Sequence, residues 1–233
     1  MISKKKTFAI LFIGMFLASM SLCLLKEDPK ITVVVNTIQI ETDYGKPSGS
    51  PGKPDKPDVG KPGDYKLMGV KWSTLPLTLY VEDEGMVDEI GLGASEWDRY
   101  TNAELVSTVE QKEGITIFDE VEAKTPDYQN ELVWADLDSG IIAVCYTWSY
   151  GDDIIQFDIA FNTDFVWGDA EVTSGVMDLQ NIATHELGHG FGLADIYKRN
   201  LSYLTMYGYS GIGDVSKRDL AQGDIDGIKA LYG

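Results

Sequence analysis

Both histidines of the 233-residue chain fall within one stretch, HELGHGFGLAD, at positions 185 and 189. Four residues along an α-helix amount to about 6 Å of rise and about 40° of rotation, so the two imidazoles leave one face of the helix and reach a common point. Glu186, adjacent to His185, can reach a water held at that point without binding there itself. Gly192 ends such a helix by taking the left-handed conformation that turns the chain back. Asp195, three residues on, then comes round to the two imidazoles. With no third histidine in the chain, Asp195 is the nearest candidate for a third donor. Whatever fold this chain adopts has to hold one buried helix, a reversal at Gly192 and an acidic side chain returned to that helix.

The surrounding sequence supplies a frame for it. LTLYVE (Leu77 to Glu82), ITIFDE (Ile115 to Glu120), ELVWADLD (Glu131 to Asp138), IIAVCYTW (Ile141 to Trp148) and IIQFDIAF (Ile154 to Phe161) read as strands. Some of them are almost continuously apolar, which indicates a sheet covered on both faces. Met86, Val87, Ile90, Ala94 and Trp97 recur at helical spacing. A second helix is expected from about Asp178 to Gly190, and a third from about Ser216 to Leu231. Strands first and helices around them give an α+β layered domain over residues 65–233.

What precedes the domain is different in kind. Lys4, Lys5 and Lys6 stand before an apolar run from Phe8 to Leu25, the layout of an export signal or of a short membrane anchor, so residues 1–25 are read as one of these. Leu22 stands before Cys23 where a lipid-attachment signal needs a small residue. Residues 26–44 hold a β-prone segment, ITVVVNTIQI (Ile31 to Ile40), with no evident partner. Residues 45–64, GKPSGSPGKPDKPDVGKPGD, cannot bury apolar surface and form a solvated spacer able to reach roughly 60 Å when extended. Cys145 lies in an apolar stretch and is expected to be a buried, inert thiol.

Charge narrows the partners. The chain has 37 acidic against 19 basic side chains, a net charge of −18, and most of the acidic ones lie beyond residue 64. Phosphate backbones require Lys and Arg, so nucleic acid is excluded. A soluble acidic surface or bound calcium accounts for the excess; Asp136 with Asp138, and Asp152 with Asp153, are the acidic pairs for the latter.

The sequence HELGH, with both imidazoles on one face and a glutamate beside the first, is a zinc hydrolase signature in which Glu186 is the general base. Two other readings use the same residues. The set also describes the two-histidine, one-carboxylate triad of non-haem iron enzymes, which leaves Glu186 idle. A catalytically inactive binding module predicts loss of Glu186 or of a ligand, and all are present.

HELGHGFGLAD resembles the metzincin pattern H-E-x-x-H-x-x-G-x-x-H with Asp in the last place, as in small bacterial metzincins of the snapalysin type. WDRYTNAEL, DLQNIATHELGHGFGL, LTMYGY and DIDGIKALYG resemble the matrixin branch. That resemblance covers nearly all of residues 66–233. It implies a zincin fold with a twisted, mostly parallel five-stranded sheet and three helices. It further implies zinc held by His185, His189 and Asp195, structural calcium, a Met-turn in which Met206 floors the metal, and an extracellular monomer that cleaves proteins or peptides. By strand addition, substrate would lie extended beside an edge strand, with IIAVCYTW as the expected one. Tyr207 and Tyr209, after the Met-turn, are expected to pack rather than to touch substrate.

The sequence also departs from the matrixin pattern. The histidines of a second, structural zinc are missing, and no cysteine segment precedes the domain to block the metal. Gly223 and Asp224 stand where matrixins carry paired aspartates. A carboxylate third ligand lowers the charge of the site by one relative to an imidazole, so bound water is less acidified.

Overall fold

The computed structural model describes residues 25–28, 31–41 and 63–233. Cys23, nearly all of the expected export or anchor segment and most of the expected spacer lie outside them. Among the described residues no helix is long and apolar enough to cross a membrane.

Among the described residues, ten strands and four helices follow one another. The strands are β1 (Leu25–Asp28), β2 (Ile31–Ile40), β3 (Leu77–Val81), β4 (Val106–Gln111), β5 (Asn130–Ala135), β6 (Ile141–Tyr150), β7 (Asp153–Asn162), β8 (Trp167–Gly168), β9 (Met177–Asp178) and β10 (Tyr209–Ser210). The helices are α1 (Val87–Asp98), α2 (Ile117–Ala123), α3 (Leu179–Gly190) and α4 (Gln222–Tyr232). The main sheet has the order β1-β2-β6-β7-β5-β3-β4, with β10 joined to β2. Strands β4, β3, β5 and β7 run parallel and β6 antiparallel to β7, which is the mostly parallel five-stranded sheet of the resemblance. Three further strands, β1, β2 and β10, extend it.

Both faces of the sheet are covered, as the apolar strands predict. On one face Leu79, Val81, Cys145, Phe157, Ile159 and Phe161 pack with Ile90 and Trp97 of α1 and Ile182 and Leu187 of α3. On the other, Val133, Val144, Tyr146 and Ala160 pack with Ile117, Phe118 and Val121 of α2. Burial of side chains of this size contributes about 1.5–3 kcal/mol each, so the two layers clamp the sheet and fix where its ends emerge.

Three expectations about elements are corrected. ITIFDE is not a strand: alternation over four residues gave way to the stripe Ile117, Phe118 and Val121, which lies on Tyr146 and is closed by Lys124 in the left-handed conformation (φ 57°). The strand in that region is β4, whose valines are only half buried and whose other residues are polar, so its apolar signal is weak. The last helix starts at Gln222 rather than Ser216. Residues Ser216–Arg218 form a single tight turn instead, because the Thr205 hydroxyl donates toward the carbonyls of Lys217 and Asp219 and the Glu96 carboxylate accepts from the Leu220 amide.

The segment Ile31 to Ile40, which had no evident partner, pairs antiparallel with β6 along almost its whole length. The strand IIAVCYTW is therefore not an open edge.

Candidate metal centre

Helix α3 begins where the sequence predicts it. Asp178 is its N-cap, with a carboxylate oxygen accepting from the Asn181 amide at 2.8 Å. His185, Glu186 and His189 all lie on α3 and are fully buried. The helix ends at Gly190. Gly192 then adopts φ +102°, and a Cβ there would lie 2.4 Å from the Val70 carbonyl oxygen, so the reversal requires glycine. The returning loop is held by backbone bonds: Ala194 N–H donates to Lys66, and Ile196 N–H to the Met206 carbonyl. Asp195 sits between them.

That arrangement brings the expected residues together. Asp195 Oδ1 lies 3.3 Å from His185 Nε2 and 3.4 Å from His189 Nε2, and the three atoms form a group close enough to share one ion. The other ring nitrogens are already engaged. His185 Nδ1 is 2.7 Å from the Thr205 carbonyl and His189 Nδ1 is 2.9 Å from the Leu193 carbonyl. A carbonyl only accepts, so each Nδ1 carries a proton, and each Nε2 presents a lone pair in the neutral ring that a metal ion would bind.

Three lone-pair atoms thus converge in a buried space. Both His Nε2 atoms, Asp195 Oδ1 and both Glu186 carboxylate oxygens lack any hydrogen-bond partner. Buried polar atoms are paired in the great majority of cases, and a convergent orphan set such as this one is what a metal cation satisfies. Two imidazoles and a carboxylate suit Zn²⁺ with an open fourth position.

Electrostatics sharpen the division of labour. Burial pushes His185 down to about 4. Burial also opposes the charge on His189, but the Asp195 carboxylate outweighs it and holds that imidazole at about 8. Asp195 is held far below the usual carboxylate range, because its two histidine neighbours overcome the desolvation that would raise it. Glu186 is pushed up to about 8, chiefly by burial, so its carboxylate has a raised affinity for a proton.

The Met-turn lies beneath. Met206 is buried under α3, and a Cβ on Gly188 would fall 2.3 Å from its sulfur, so the glycine between the histidines admits the close approach of the turn. The turn is fixed by Asp224, which the sequence marked only as the remaining member of an aspartate pair, and by Lys217, which it did not mark. Asp224 accepts from the amides of Thr205 (2.9 Å), Met206 (3.0 Å) and Ala221 (3.1 Å). Lys217 is buried and reaches the carbonyls of Leu204, Thr205 and Tyr207. Because Thr205 also receives His185 Nδ1, these contacts aim an imidazole.

Tyr197 was missed as well. Its hydroxyl donates to Asp195 Oδ2 at 3.0 Å, leaving Oδ1 for the shared point. A tyrosine two residues past a candidate ligand was the only signal available. Tyr207 and Tyr209 pack on one another, and Tyr209 on Tyr197, with ring centroids 5.5 Å apart in each case. Cys145 is buried with its thiol pushed well up by desolvation, and is inert as expected. The acidic pairs Asp136 with Asp138 and Asp152 with Asp153 belong to no convergent ligand group among the described residues.

A sequence model of the matrixin family matches residues 71–233. The chain belongs to the matrixin family. Its relatives include interstitial collagenase of Bos taurus, 40% identical over 78 residues that make up 33% of this chain and 14% of that protein. Stromelysin-1 of Rattus norvegicus is 38% identical over 76 residues, 33% of this chain and 15% of that protein. The chain therefore spans only a small part of the length of these relatives. Matrixins as a family are zinc metalloendopeptidases that also carry structural calcium.

Proposed function

We propose that this matrixin is a zinc-dependent endopeptidase of extracellular proteins or peptides, acting outside the cell as a secreted or surface-held monomer. His185, His189 and Asp195 hold the metal and Glu186 is the general base. The observation that carries this reading is the convergence of the two Nε2 atoms and Asp195 Oδ1, with the unpartnered Glu186 carboxylate beside them.

A zinc ion held there supplies a polarised carbonyl and a water of lowered pKa. Glu186 would take a proton from the attacking water and deliver it to the departing amide nitrogen. Tyr197 and the carbonyls of Thr205 and Leu193 keep the three ligands oriented. The apolar run after Lys4 to Lys6 supports export, and the acidic surface suits a soluble protein outside the cell.

Metal content by mass spectrometry, paired with cleavage of a peptide library by the full chain, tests this reading. One zinc per chain is expected, with zinc retained and cleavage abolished in Glu186→Ala, and zinc weakened in Asp195→Ala. Iron in place of zinc, or zinc bound fully without Asp195, rejects the assignment.

A further inference from the structure

Among the described residues, two groups of side chains converge closely enough to share an ion. One is the metal centre. The other is Glu120 of α2, Asp127 of the loop that follows and Glu131 of β5, with carboxylate oxygens within 4.8 Å of one another. Calcium takes about six to eight oxygen donors, carboxylates above all, so this is where the structural calcium of the matrixin family would be sought.

The donor set does not fit calcium, because a side chain already fills it. Lys112, just after β4, places Nζ 2.5 Å from Glu131 Oε1 and 2.9 Å from Gln129 Oε1, and rests over the Tyr80 ring at 5.1 Å from its centroid. Glu120 Oε2 accepts from Gln156 Nε2 at 2.7 Å and from the Asp127 amide at 3.1 Å. Asp127 in turn accepts from the Gln129 amide at 2.8 Å. Calcium would have to break these bonds and meet an ammonium of like charge at close range. Burial opposes the charge on Lys112, but the hydrogen bond to Glu131 outweighs it and raises the ammonium.

A second acidic cluster is closed in the same way. Asp169 and Glu171, in the loop before β9, and Asp178, at the start of α3, surround Arg218: Nη2 lies 2.6 Å from Asp169 and 2.5 Å from Asp178, and Nη1 lies 3.4 Å from Glu171. Glu89 of α1 is within the electrostatic reach of the same guanidinium. One planar cation thus bridges carboxylates on separate elements, the connection that a bound metal ion makes elsewhere.

We propose that Lys112 and Arg218 are the structural cations of this chain, tethered in place of bound calcium, so that its folded state needs none. The loop before β9 and the head of α3 then stay joined at any calcium concentration, and a chelator acts on the protein through the metal centre alone. This goes beyond the endopeptidase reading and does not depend on it.

The test uses the full chain, stripped of metal with EDTA and reloaded with zinc. Its thermal unfolding midpoint is read with calcium at about 10 mM, above the dissociation constants of the weaker extracellular calcium sites, and with magnesium at the same concentration as the control for ionic strength. Wild type should unfold at the same temperature in both to within about 1 °C, whereas an occupied calcium site would raise the midpoint by about 2 °C or more. Lys112→Met leaves the three carboxylates without their tethered charge, so calcium should raise its midpoint by about 2 °C or more, or restore its fold if the fold is lost without calcium. Lys112→Arg keeps the charge and should behave as wild type. A wild type that calcium stabilises beyond the magnesium control overturns the inference. So does a Lys112→Met chain that calcium neither folds nor stabilises, or a Lys112→Arg chain as responsive as Lys112→Met. Zinc content and peptide cleavage of the same wild-type preparation report separately on the endopeptidase reading.

Discussion

Helix α3 carries buried acidic chemistry near both ends, and the two groups are treated in opposite ways. At its start, Asp178 is fully buried and every contact it needs is made: it accepts from the amides of Asn181 and Ala170, and Arg218 grips both of its oxygens through Nε (2.8 Å) and Nη2 (2.5 Å). The same guanidinium reaches Asp169 at 2.6 Å, which lowers that carboxyl and raises the arginine. Further along, His185, Glu186, His189 and Asp195 are equally buried, yet five of their polar atoms have no partner. One end closes its polar groups within the protein, and that is structure. The other leaves them unpaired by the chain, as the proposed metal site requires.

The largest effect should come from removing the base. Glu186→Ala is expected to slow peptide cleavage by about 10²–10⁴-fold. Because that carboxylate satisfies no fold contact, its melting temperature should equal or exceed that of the wild type. Cleavage rates and calorimetry on one preparation check both halves, and a large loss of stability would place Glu186 with the structural group instead.

Arg218→Ala should do the reverse. It strands Asp178 in a buried position without its counter-charge, and removal of one partner of such a pair costs about 3–5 kcal/mol. Urea unfolding reads this directly. Arg218→Lys should recover only part of the loss, since an ammonium cannot grip both oxygens in the plane.

Metal removal tests the functional end. Zinc at a hundred times its dissociation constant stabilises the folded state by about 2.7 kcal/mol, and a chelator should take that away. His185 lies seven residues, about 10 Å, along α3 from Asp178. The zinc increment should therefore be the same in wild type and Arg218→Ala to within about 0.5 kcal/mol, as for independent sites. A smaller increment in the variant would mean that the two ends are coupled through the helix.

The contrast also explains what could be read from the sequence. Candidate ligands set by spacing along one helix, His185 and His189, and a reversal that only glycine allows, Gly192, leave a local pattern. So did the covered strands and α3 itself. Arg218, Asp224 and Lys217 act across the fold, on partners up to 49 residues away, and no local spacing marks them; Tyr197 acts only two residues away, on Asp195, but that spacing alone did not single it out. The Ile31–Ile40 strand is an intermediate case. Its β character was plain, as was the expectation that β6 would receive an extended peptide, but nothing local to either showed that the two belong to one ladder more than a hundred residues apart in sequence. ITIFDE failed for a related reason: a short alternation cannot be told from a helical stripe until the surface it covers is known.

The smallest effect falls on a residue that shares both characters. Tyr197 makes one hydrogen bond, to Asp195 Oδ2, and its ring rests against Tyr209. Phenylalanine keeps the ring contact and removes only the bond, so the fold should not notice the change. The carboxylate would lose the contact that turns Oδ1 toward the histidines, and partners of this kind are worth about 10–100-fold in metal affinity. Zinc competition against a chromophoric chelator measures that loss. An unchanged zinc affinity in Tyr197→Phe would mean that the loop clamped by Lys66 and Met206 aims Asp195 by itself, and that the hydroxyl belongs with the structural contacts.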